Sequence, residues 1–273
     1  GINWEGLTVG TDLQRDMDQE RSLTYAQLHV DDLDSGPFSA FRTGLSWQNT
    51  FQSQDRIRAN SDRELDEVRV GTFGLFAQAQ TEVSSDITLT YGMDYYHDNV
   101  NSSGSDSGSV PTNFIQGAFG DEASYDLLGI YVQADIDVTN RLNLIVGGRW
   151  TYAAADADRV NNPAIPGNDP TNPADIIAIS DSWDAFAGSA RLTYDIEPDE
   201  LLVYGGVSQG FRAPNLSDLT GNISSNATDF EVPSPGLEPE YYTALEIGFK
   251  GQGENYGWQA AYYYTFIEHQ IVR

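Results

Sequence analysis

The chain has no cysteine among its 273 residues. Disulfides, thiolate nucleophiles, cysteine-held zinc and iron–sulfur clusters are therefore excluded. Histidine is scarce too: His29, His97 and His269 stand alone, each in strand-like sequence, and their spacing suggests no metal or acid–base constellation. Positive charge is in short supply. Fourteen Lys and Arg face 41 Asp and Glu, a net charge of −27, which excludes nucleic acid as a partner because phosphate contacts need clustered cations. No run of about eighteen apolar residues occurs, so no transmembrane helix is expected. HExxH, P-loop, GxSxG and GxGxxG signatures are missing, so neither an enzyme nor a cofactor is expected. Residues 1–20 lack the basic stretch and apolar run of a signal peptide, so the chain is expected to have lost one or to begin inside a longer protein.

What is present is period-two alternation. Ile130, Val132, Ala134, Ile136 and Val138 share one face against Tyr131, Gln133, Asp135 and Asp137. Leu142, Leu144, Val146, Gly148, Trp150 and Tyr152 oppose Asn143, Gly147, Arg149 and Thr151. Ile87, Leu89, Tyr91, Met93 and Tyr95 oppose Thr88, Thr90, Gly92, Asp94 and Tyr96, and Leu245, Ile247 and Phe249 oppose Glu246, Gly248 and Lys250. Helical spacing is nearly absent. About eleven strands are predicted, near 3–13, 22–31, 38–53, 66–82, 86–98, 123–137, 141–155, 178–195, 200–212, 239–250 and 256–272.

Alternation alone fits either a membrane barrel or a half-exposed soluble sheet. Connection lengths separate them. The links 83–86, 138–141, 196–200 and 251–255 are short and alternate with long polar stretches at 99–122, 156–177 and 213–238. Up-and-down outer-membrane barrels have this asymmetry of tight turns and long external loops. Trp4, Trp47, Trp150, Trp183 and Trp258, with the run Tyr262, Tyr263, Tyr264 and Phe266, are expected near strand ends, as an interfacial girdle or as ordinary cross-strand pairs. Asp156, Asp158, Asp169, Asp175 and Asp181, and separately Asp229 and Glu231, make acidic loops that either bind calcium or are simply solvated. Asn222 and Asn226 open formal glycosylation sequons.

Three motifs are more specific. They are Gly210-Phe211-Arg212-Ala213-Pro214, Leu237-Glu238-Pro239-Glu240 and Glu246-Ile247-Gly248-Phe249-Lys250, followed by the Tyr/Phe-rich 258–273. In this order they resemble the C-terminal half of TonB-dependent outer-membrane receptor barrels. The continuation Asn215-Leu216-Ser217-Asp218-Leu219 is closest to the haemoglobin, transferrin and lactoferrin receptor group, and 131–150 matches the family's strand–turn–strand. The resemblance implies an all-β, antiparallel up-and-down transmembrane β-barrel, partial, at about half of a 22-stranded barrel. Residues 1–273 would then be a barrel segment, with the plug domain outside this chain. It also implies a place in the bacterial outer membrane, contact with its lipid, and import of a scarce nutrient, foremost an iron complex, with energy from TonB acting through the plug. A passive porin-like barrel and a soluble, acidic, calcium-binding β-rich adhesin are the alternatives. Arg212 is the one candidate ligand contact, at the lumen or loop mouth, with an ion pair inside an acidic barrel as its structural alternative. Glu246 and Lys250 are expected to face the lumen. Pro214 and Pro239, which cannot donate to a ladder, are expected to mark strand ends.

Overall fold

The computed structural model describes residues 2–4, 7–9, 12–31, 33, 38–108, 112–165, 169–221 and 232–271. A short hairpin, β1 (Ile2–Trp4) and β2 (Leu7–Val9), precedes the main sheet. The long strands are β3 (Asp12–Val30), β4 (Ala40–Arg58), β5 (Arg63–Ser84), β6 (Ile87–Asp106), β8 (Asp121–Thr139), β9 (Leu142–Asn161), β10 (Ile176–Glu197), β11 (Leu201–Arg212), β12 (Glu240–Gly253) and β13 (Tyr256–Glu268). Each pairs antiparallel with its neighbours in chain order, and the two-residue β7 (Thr112–Asn113) leans on β6. The result is one open, up-and-down sheet with β3 and β13 at its edges.

The register turns the alternation into two surfaces. Directly opposed residues share a face, so the row Leu89, Ala134, Val146, Ala190, Val207, Leu245 and Tyr264 crosses seven strands on one side. Its members and neighbours are bare: Ile130 and Val132 are each 50% exposed, Phe186 70% and Tyr262 69%. Without lipid against it, this face would be an aggregation surface. The opposite, inner face carries cross-strand polar contacts. Arg149 donates two hydrogen bonds to Asp94 at 2.8 and 2.7 Å, and Tyr131 donates to Gln78 at 2.9 Å. No helix is long and apolar enough to cross a membrane among the described residues, which leaves crossing by strands untouched.

The strands run longer than the sequence suggested. The strand expected at 3–13 is mostly the separate β1–β2 hairpin, and the one expected at 22–31 starts ten residues earlier, because β3 is continuous from Asp12 to Val30 through the polar stretch Gln14–Arg21. Likewise β6 continues to Asp106, through residues read as loop, paired with Glu64–Val70 of β5. A bilayer needs only about 9–11 residues per strand. The outer halves therefore stand clear of lipid, need no apolar side, and lose the alternation that marks a strand. The near-absence of helical spacing still left two short pieces: a 3-10 turn at Pro173–Asp175 and α1 (Leu216–Thr220).

The aromatic expectation needs correcting in part. Trp47 and Trp150 lie mid-strand, on the exposed face, with Trp150 stacked on Tyr152 at 6.3 Å between centroids. They sit where the apolar zone ends rather than where the strand ends. Trp183 belongs to the other face and takes part in the packing described next.

Candidate functional site

The buried core lies at the loop-side mouth of the inner face. Val100, Ala123, Ala155, Ala157, Val160 and Ile179 from four strands surround Leu216 and Leu219 of α1. The alanines let the helix approach the wall. Complete burial of Leu219 alone contributes roughly 2 kcal/mol. Helix α1 forms here because Asn215 caps it: Asp218 N–H donates to Asn215 Oδ1 at 3.0 Å, and Asn215 N–H donates to Asp218 Oδ2 at 3.1 Å. This reciprocal box satisfies two otherwise orphaned donors.

Two long connections, 107–120 and 213–239, meet at this core beside the end of β9. The fully buried Gln116 side chain donates to Thr220 O at 2.7 Å and accepts from Asn161 N–H at 2.8 Å. Gly120 N–H donates to Thr220 Oγ1 at 2.8 Å, and Ser234 N–H donates to Leu219 O at 2.8 Å. Trp183 Nε1 donates to Leu237 O at 3.2 Å. Burial pushes the Tyr125 hydroxyl up to about 12, so it stays protonated within this core.

The first two sequence motifs close on each other. Arg212 and Glu240 are opposite residues at the loop-side ends of β11 and β12. Arg212 Nε donates to Glu240 Oε2 at 2.7 Å and Nη1 donates to Asp218 Oδ2 at 2.8 Å. Both carboxylates are only 4% exposed. Tyr242 also donates to Glu240, and Ile271 N–H donates to its second oxygen at 2.7 Å. Arg212, then Tyr242, holds the Glu240 carboxyl down to about 2, well below its usual range, and Glu240 holds the Arg212 guanidinium still more firmly protonated. Ala213 and Pro214 are buried just past the strand end, and Pro239 immediately precedes β12. Arg212 is thus bound into an ion-paired clasp, 37% exposed to the mouth. Gly210 and Phe211 extend β11 beneath it, with the Phe211 ring 5.7 Å from Tyr241.

The third motif lies lower on the inner face. Arg191 approaches Glu246 at 3.4 Å, and Tyr204 donates to Glu246 at 3.4 Å. The Tyr204 ring crosses Gly248 so closely that a Cβ there would sit 2.5 Å from it. Arg191 and Lys250 lie over that ring at 5.6 and 5.5 Å. Glu246 and Lys250 therefore engage neighbours on the inner face.

Among the described residues, no group of three or more His, Asp or Glu is arranged to hold a metal ion. Asp169 accepts from Thr171, and Asp175 accepts from Asp169 N–H and Asn172, so these loop carboxylates shape their own turn. Asp229, Glu231, Asn222 and Asn226 lie outside the described residues. His97 meets Asp126 at 2.9 Å and His269 meets Glu238 at 3.3 Å, in separate pairs. The mouth core was missed from sequence, although Asn215-x-x-Asp218 ahead of Leu219 is a visible capping signal.

Among solved structures, the copper transporter OprC is similar, with 18% identity over 92% of this chain and 40% of that one, at a TM-score of 0.72. The Serratia marcescens hemophore receptor HasR, in complex with its hemophore HasA and heme, shares 15% identity over 93% and 40%, at 0.70. The ferric yersiniabactin uptake receptor FyuA of Yersinia pestis shares 15% over 92% and 36%, at 0.66. At such identities the likeness shows the fold, and the chain spans about two fifths of the length of these proteins. No curated protein matches. The family model described as TonB dependent receptor-like, beta-barrel, matches residues 2–273. With its continuous apolar wall, inner polar face and clasped motif pair, the chain belongs to the TonB-dependent receptor-like β-barrel family.

Proposed function

We propose that this chain is the wall and loop-bearing part of an outer-membrane receptor that captures an iron complex at the cell surface and imports it with energy delivered by TonB. The observation that carries the reading is the apolar face that runs unbroken across the strands while the opposite face is cross-linked by polar pairs. Support for the cargo comes from the names of similar proteins, of which HasR and FyuA are receptors for iron-bearing ligands and OprC for copper. TonB would act through a plug domain that these residues do not include. The wall would contribute shape, the mouth core and the loops, without bond-making chemistry. Arg212 is available to cargo only through its exposed edge, since its donors already hold Glu240 and Asp218.

The test is uptake by the full-length receptor in a Gram-negative host stripped of its own iron receptors. Radiolabelled iron, offered as ferric siderophores or haem, is expected to enter TonB-positive cells and not TonB-negative ones. Uptake that survives loss of TonB would make the protein a passive pore. Recovery of the protein in the aqueous fraction would favour the soluble adhesin, and uptake of copper alone would reassign the cargo.

A further inference from the structure

Arg69 lies on the outer, apolar-facing side of β5, opposite Phe51 of β4 and Asn101 of β6. Its guanidinium lies over the Phe51 ring at 4.8 Å. Every other described arginine has a carboxylate, an amide or a carbonyl partner. Arg69 has no such partner among the described residues, although the chain carries 41 carboxylates and 14 cations. Glu67, two residues along the same face, and Glu20, across Phe51, are its nearest acidic neighbours in the register, and neither forms a salt bridge with it.

The surroundings form a groove. Gly71 is its floor, between Asn49 and Asn99 in the register. A Cβ added to Gly71 would first meet the Trp47 ring, at 3.4 Å, and then the Asn49 side chain, at 3.7 Å. Trp47, one row below, closes the groove on the membrane side, Phe51 and Arg69 close it on the loop side, and Glu20 and Ser22 of β3 line its far wall. Its volume is about 470 Å³. The four residues from Phe73 to Arg69, on a strand tilted as barrel strands are, raise Arg69 about 9 Å above the aromatic row. That height is the headgroup zone, above the hydrocarbon.

From this geometry we infer that the groove at Trp47, Asn49, Phe51, Arg69, Gly71 and Asn99 seats the phosphorylated saccharide headgroup of an outer-leaflet glycolipid. The chemistry matches part by part. A guanidinium seated over an aromatic ring offers its forked donors to one phosphate. The carboxamides offer both donors and acceptors to sugar hydroxyls. Trp47 gives the apolar faces of a sugar ring a surface just where acyl chains begin. A single cation flanked by Glu20 and Glu67 disfavours a polyanion, and suits a ligand that brings one phosphate together with hydroxyls.

The inference rests on the outer-membrane reading above and is tested so that the two fail separately. The full-length receptor and its Arg69→Ala and Gly71→Leu variants are first recovered from the outer-membrane fraction with unchanged gel migration, which checks location and folding. Each is then moved into phosphatidylcholine vesicles containing a lipid A that carries one phosphate, or its fully dephosphorylated form, and the glycolipid retained through detergent extraction is counted. The wild type is expected to retain lipid A over the dephosphorylated form. Arg69→Ala is expected to weaken retention roughly tenfold, and Gly71→Leu to abolish it by filling the floor. Equal retention of both lipids by the wild type, or unchanged retention by both variants, overturns the site, whatever the uptake assay gives.

Discussion

At the residue scale, two carboxylates on the loop side are tuned in opposite directions. Asp66, on the lipid-free half of β5, is pushed up to about 6 by burial and by Glu64 beside it. A raised acid favours the folded state only while protonated. Its contribution is fully present below its ordinary 3.8, is lost as pH rises toward about 6, and leaves a penalty at neutral pH. Asp66→Asn is therefore expected to slow hydrogen exchange in β5 and β6 at pH 7.5 and to leave it unchanged at pH 4. Glu240 behaves oppositely. Its folded value near 2 lies below the usual 4.5, so its stabilisation holds above pH 4.5 and disappears as pH falls toward 2. Arg212→Ala leaves that buried carboxylate without its main donor. It is expected to loosen the α1 amides by about 2 kcal/mol in hydrogen exchange at pH 7, with the difference shrinking below pH 3.

At the scale of elements, α1 is held by packing more than by its own length, since five residues make barely one turn. Leu219→Ala is expected to cost about 3 kcal/mol locally, read as faster protease cleavage of the 213–239 connection on intact cells while the strands stay protected. The Tyr204–Gly248 contact is a second kind of joint. Gly248→Val would drive the Tyr204 ring off its neighbour strand and unseat Arg191 and Lys250 from that ring. The ring can swing, so the expected cost is about 1 kcal/mol, measured as a lower melting temperature of the heat-modifiable band on gels. Legibility from sequence followed the membrane boundary. Strands were readable where lipid on one side forces alternation, as from Ile130 to Val138 and from Leu142 to Tyr152. They were unreadable beyond that boundary: Gln14–Arg21 is mostly polar on both sides and looked like a break, and Asn99–Asp106 looked like loop because the side it buries, Val100, Ser102 and Gly104, is mostly small or polar. The Arg212–Glu240 pairing was half legible. Each motif could be seen, but their meeting depends on a register across a connection of 27 residues, 213 to 239, that no local pattern encodes.

At the scale of the molecule, the sheet has no interior of its own beyond the mouth. Its two edge strands, β3 and β13, have unpaired ladders among the described residues, and one whole face needs lipid. Residues 1–273 refolded alone in detergent are therefore expected to give mixed oligomers by size-exclusion chromatography rather than one sharp monomer. A sharp monomer would show that the edges are satisfied in some other way. Three arginines near the β4–β5 turn offset part of the charge of −27: Arg56 with Asp12, Arg58 with Glu64 and Arg63 with Asp55. The Arg63–Asp55 pair is partly exposed and screened by salt, whereas Arg56–Asp12 is mostly shielded from it, so the outer extensions are expected to tolerate high ionic strength with little change in stability.

The clasp at Arg212 and Glu240 also makes the longest connection a cassette. Its two ends are fixed to each other by a ladder pair, and its flanks are fixed again where Ser234 meets Leu219. Foreign sequence spliced between these anchor points would change only the length of a closed ring, and each doubling of that length costs only about 0.6 kcal/mol. The mouth of this barrel is therefore a ready platform for a grafted peptide, because the Leu219–Ser234 contact closes the ring on the near side of the splice.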